Sequence, residues 1–126
     1  MIDFEWNAIL ARIEGLRLIT DLAIAGQGRV SGGEGLGVPV RDEAAQIRAA
    51  IQRWRSDFDL PEPVRSALDD FELDYVERSQ TPLSGNAAAA IANFAMPLLR
   101  IGPRVTFLLR NPQEAIRRRA ELAFLH

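Results

Sequence analysis

The chain contains no cysteine, which excludes disulfides, thiolate catalysis and cysteine-ligated zinc or iron–sulfur centres. It contains no lysine either, since all fifteen basic residues are arginines. That removes a Schiff-base lysine, a lysine general base and the phosphate-gripping lysine of a Walker loop. The only histidine is the last residue, His126. A catalytic triad or a histidine-ligated metal needs an ordered imidazole, and a terminal position is a poor place to find one. Charge of one sign is also lacking. A net −2 supplies no global attraction to nucleic acid or to an anionic membrane, and neither is expected as a partner.

Long hydrophobic runs are missing as well. The uncharged part of the central segment, Leu83 to Leu99, spans seventeen residues and is interrupted by Ser84, Gly85, Asn86, Asn93 and Pro97. It is too short and too polar to span a bilayer. The opening MIDFEWNAIL has no basic region ahead of an apolar one, so it does not read as a signal peptide. A cytoplasmic location fits these absences.

What is present is an ordinary globular composition: 126 residues, 48% apolar and 25% charged. A single domain over 1–126 can bury roughly two-thirds of its unfolded surface. The organising stretch is Leu83–Arg110. Ile91, Phe94, Leu98, Ile101, Val105 and Leu108 recur there at steps of three and four, the spacing of one helix face turned to a core. Ala87 to Ala90, Ala92 and Ala95 allow a neighbouring helix to come close. Pro97 and Pro103 are expected to kink or break the run, because each lacks an N–H and crowds the preceding turn.

The first helix is expected over Asp3 to Ala25, with Asp3 as its cap. Trp6, Ile9, Ile13 and Leu16 form its stripe, and Leu10, Ile19 and Leu22 widen it enough to meet two neighbours. A second helix, Val40 to Phe58, buries Val40, Ala44, Ile47, Ile51, Trp54 and Phe58. Its arginines read as a solvated surface. A third, Pro61 to Arg78, turns Val64, Leu68, Phe71 and Tyr75 inward. Asn111-Pro112-Gln113-Glu114 has the capping-box arrangement and predicts a last helix to about Leu125. Its end is still apolar, which suggests either a domain of a longer bacterial protein or an end that a partner covers. The fold expected is all-α: a bundle of five or six mostly antiparallel helices.

Between the first two long helices lies Gly26 to Gly37, with six glycines in twelve residues. Gly26-x-Gly28 is followed by Ser31 where a dinucleotide turn needs its third glycine, and no G-K-[ST] follows. The stretch reads as a connector, with Arg29 and Ser31 as the polar contacts if it closes over a ligand or partner.

Two constellations carry chemistry. Asp70, Asp74 and Glu77 fall at i, i+4 and i+7 of the third helix, three carboxylates on one face. The region Asp57–Arg78 holds eight acids against two arginines, and Leu83–His126 holds six arginines against two acids. Complementary patches of this kind bring a partner, or a second copy, into register. The function expected is a non-enzymatic protein-interaction or oligomerisation module that needs no cofactor. Its contacts would be Asp70, Asp74 and Glu77 against Arg117 and Arg118. The alternative is a small all-α enzyme acting on a phosphorylated or nucleotide substrate, with Mg²⁺ on the same carboxylates.

Overall fold

A computed structural model describes residues 2–25, 37–80 and 87–111. All elements among them are helical: α1 (Ile2–Ala25), α2 (Gly37–Asp57), α3 (Glu62–Ser79), α4 (Ala87–Ala90), a π-helical turn (Ile91–Ala95) and α5 (Met96–Arg110). The last three are continuous, so the described chain forms four rods. The glycine-rich stretch with Arg29 and Ser31, and the expected last helix with Arg117 and Arg118, lie outside the described residues.

Contacts between side chains fix the direction of each rod. The Trp6 and Trp54 rings lie 4.9 Å apart, and the Trp54 indole N–H donates to the Ile2 carbonyl at 3.3 Å. The start of α1 therefore meets the end of α2. Arg48 and Arg55 of α2 pair with Glu72 and Asp69 of α3, so these two are also antiparallel. Tyr75 of α3 stacks edge-on against Phe94, and Asp70 pairs with Arg104, which reverses direction once more. Trp6 bonds to Thr106 and closes the cycle. The described rods form an up-down-up-down bundle. The expected antiparallel order holds for four rods.

The fourth rod is central, packing on α1, α2 and α3. Ala90 and Ala95 are fully buried, and the alanine-rich end meets α2. Ile91, Phe94, Leu98, Ile101 and Val105 are buried as the spacing predicts. The two prolines do not break it. Immediately before Pro97 the helix widens, and the Met96 N–H reaches back five residues to the Ile91 carbonyl. A proline ring strikes the carbonyl four residues earlier, and a π turn moves that carbonyl aside without ending the helix. Pro103 sits inside α5 on the exposed side.

At Gly102 the α1–α5 approach is close. A Cβ there would lie 3.3 Å from Leu10 Cδ1 and 3.4 Å from Ile13 Cγ2.

Two local expectations change. α1 begins at Ile2, so Asp3 lies in its first turn rather than before it, where a carboxylate still meets the positive end of the helix. Asn111 also closes α5: its backbone N–H and its side-chain amide both donate to the Phe107 carbonyl, at 2.9 and 3.1 Å, while the helix it is expected to cap lies outside the described residues. Leu22, expected to widen the buried stripe of α1, is 67% exposed. Nine residues separate it from the fully buried Ile13, and at 100° per residue that is the opposite side of the helix.

Candidate functional site

Four acidic residues of α3 pair with arginines, three of them supplied by neighbouring helices and one, Arg78, by α3 itself. Glu72 accepts from Arg48 Nε at 2.9 Å, and Asp69 pairs with Arg55. Asp74 accepts from Arg78 Nε at 2.8 Å, and Asp70 lies 3.8 Å from Arg104. Of the three sequence-named acids, Asp70 and Asp74 thus have partners within the chain, while Glu77 has none among the described residues. Such half-exposed pairs contribute little stability, about 0–1 kcal/mol each, but they occupy the carboxylates.

Asp70 and Asp74 also rim a cleft of about 230 Å³ between α3 and α5. Its floor is Ala67, Phe71, Pro97 and Ile101, and its opposite rim is Arg100 and Arg104. Arg100 has no partner among the described residues. Sequence reasoning did not name these two arginines. Their i, i+4 spacing in the otherwise apolar stretch matches that of Asp70 and Asp74, and only the antiparallel docking of α5 on α3 brings the pairs together. Charge is balanced across the rim, which suits a mixed polar side chain better than a bare anion or cation. Among the described residues no group of three acids or histidines gathers to hold a metal ion, and Asp70, Asp74 and Glu77 do not form one.

Next to this cleft the Arg48 guanidinium lies 4.7 Å above the Tyr75 ring while bonded to Glu72. Burial pushes the Tyr75 phenol above its ordinary 10.0; Arg48 opposes the shift and Glu72 adds to it. The Glu72 hydrogen bond, chiefly, raises Arg48. Both groups therefore keep their protons at neutral pH, and neither serves as a base. Above pH 10 the unfolded chain releases a phenolic proton that the folded chain retains, so stability falls as pH rises through that range. The melting temperature should drop beyond pH 10, and Tyr75→Phe should flatten the drop. At pH 7 the same variant should melt within about 1 kcal/mol of the parent, because the phenol makes no hydrogen bond among the described residues. An identical alkaline decline in both proteins would contradict this.

The second surface belongs to α1. Phe4, Ala8, Ala11, Gly15, Leu18 and Leu22 follow at steps of four, three, four, three and four, which is one continuous stripe. It lies opposite the buried Trp6, Ile9, Ile13 and Leu16. Phe4 is 71% exposed, Leu18 66% and Leu22 67%, and Ala8 and Ala11 are exposed too. Above Gly15 there is open space, with nothing within 4 Å of where a Cβ would stand. α1 is thus apolar on two opposite faces, and the described residues of the bundle cover one of them. Along one edge the stripe runs into a groove of about 380 Å³ between α1 and α2, where Ala8 stands near Ala50 above Ile9 and Trp54. Glu5, Arg12, Arg53 and Asp57 edge that groove. Arg12 is held by Glu43 and Gln46; Glu5 has no partner among the described residues.

No helix among the described residues is long and apolar enough to cross a membrane. No known protein family, characterised protein or solved structure matches this chain.

Proposed function

We propose that this chain is a helical protein-interaction module and that its contact is the outward face of α1. The observation that carries the reading is the exposure of Phe4, Leu18 and Leu22 in one line. Scattered surface leucines are ordinary, but an apolar stripe along a whole helix marks a surface that another protein covers. The α3 acids are less suited to lead, because Asp70 and Asp74 are already matched by arginines of their own chain. They and the α3–α5 cleft would sit to one side of such a contact. No nucleophile with an adjacent base is assembled among the described residues, and binding is the chemistry the two surfaces support.

The test uses an environment-sensitive dye such as bis-ANS on the dilute chain. Wild type should enhance its fluorescence several-fold, and Phe4→Glu/Leu18→Glu should abolish most of that gain. The helical circular dichroism spectrum should stay the same, since both side chains point away from the core. A dye signal that is absent, or unchanged in the double variant, would remove the basis of the reading.

A further inference from the structure

Resting on that reading, we propose that the occupant of the α1 outward face is the same face of a second copy. The two α1 helices would cross antiparallel about a twofold axis near residues 9 and 10. In such a pair, residues whose numbers share a fixed sum face each other. With a sum of 19, Phe4 stands over Gly15 of the second copy, and Ala8 over its Ala11.

Shape supports this register. Phe4 is a large exposed knob, and the open space above Gly15 is a hole bounded by Ala11, Glu14 and Leu18 at helix spacings. Knobs of one helix seat in holes of this kind on another. The alanines at the crossing let the backbones approach closely, and the twofold axis uses both knobs and both holes.

Charge selects the same register. Edge residues of an antiparallel pair meet on each side of the apolar seam. A core sum of 19 sets Glu5, which has no partner among the described residues, against Arg12 of the second copy, and sets Asn7 against its Glu14. Symmetry makes each contact twice. Arg12 uses its Nε and Nη2 within the chain, which leaves Nη1 free to donate. The competing register pairs Phe4 with Leu22 and Ala11 with Gly15. It places Arg12 against Arg12 and Glu14 against Glu14 on the axis, and like charges there oppose it. One helix face is a small interface, so the dimer should dissociate in about the micromolar range.

The test is molar mass by sedimentation equilibrium over a wide range of concentration. Wild type should approach twice 14.0 kDa. Gly15→Leu fills the hole from a position where an added Cβ has nothing within 4 Å, and should weaken association by about tenfold or more. Glu5→Arg and Arg12→Glu should each weaken it alone, and an equimolar mixture of the two should recover a dimer, because opposite charges then face each other at both of the symmetry-related 5–12 contacts. Unchanged circular dichroism for each variant keeps loss of folding out of the result. A wild type of 14.0 kDa throughout overturns the proposal. If the dye signal persists in that monomer, the face belongs to another partner and the interaction reading stands; if the dye is silent too, both fall. A dimer indifferent to Gly15→Leu overturns the α1 contact, and a mixture that fails to associate overturns the register.

Discussion

Truncating Ile13 to alanine should destabilise the dilute, monomeric chain by about 2–5 kcal/mol, and Leu18→Ala should change it by less than about 0.5 kcal/mol. The two residues are similar in size and five positions apart on one helix. Ile13 is fully buried, and its side chain lies against Gly102 of α5. Its removal leaves a cavity between two rods held at close approach, and the backbone cannot collapse into it cheaply. Leu18 is two-thirds exposed and loses little that water had not already claimed. A domain of this size has a total stability of about 5–15 kcal/mol, so the Ile13 variant should melt about 10 °C or more below the parent. Equal losses at both sites, in urea melts at low protein concentration, would mean that α1 does not have one covered and one open face.

Trp6→Ala should be at least as costly, about 3–5 kcal/mol. The indole is buried and stacks on Trp54, and its N–H donates to Thr106 Oγ1 at 2.9 Å. The same hydroxyl donates onward to the Gly102 carbonyl at 2.8 Å. Thr106 is therefore donor and acceptor at once, and it ties the first described helix to the last across a hundred residues. Thr106→Val keeps the shape and removes both bonds, leaving the indole N–H without a partner; about 1–3 kcal/mol should follow. Trp6→Phe should cost less than Trp6→Ala, and combining it with Thr106→Val should give less than the sum, because the bond is lost only once. Strict additivity in urea melts would show that the contact is not made.

These sites also show what the sequence reveals and where it stops. The inner faces of α2 and α3 were legible because each helix carries one long apolar stripe flanked mostly by charge, with only Val38 of α2 and Leu73 and Val76 of α3 off it among the large exposed apolar residues. Leu68, Phe71 and Tyr75, or Ile47, Ile51 and Trp54, could point only one way. α1 differs. Periodicity gives the angle between residues but does not say which side another rod will cover, and Leu22 sits with the outer stripe although its step from Ile19 reads as part of the inner one. The π turn before Pro97 was hidden for another reason. Proline signals a break locally, whereas packing on both sides holds Ile91 and Leu98 inward and makes a widened turn the better solution. Asp70 and Asp74 were visible by their spacing, but Arg100 and Arg104 joined them only through the docking of α5 on α3.

Light-scattering mass of the wild type beside Phe4→Glu, followed from micromolar to millimolar concentration, bears most directly on the claim that the open face of α1 is an interface. The expected result is a wild type rising toward twice 14.0 kDa while the variant stays at the single-chain mass with its helical spectrum intact. A wild type that never leaves the single-chain mass, or a variant that associates equally well, would contradict it.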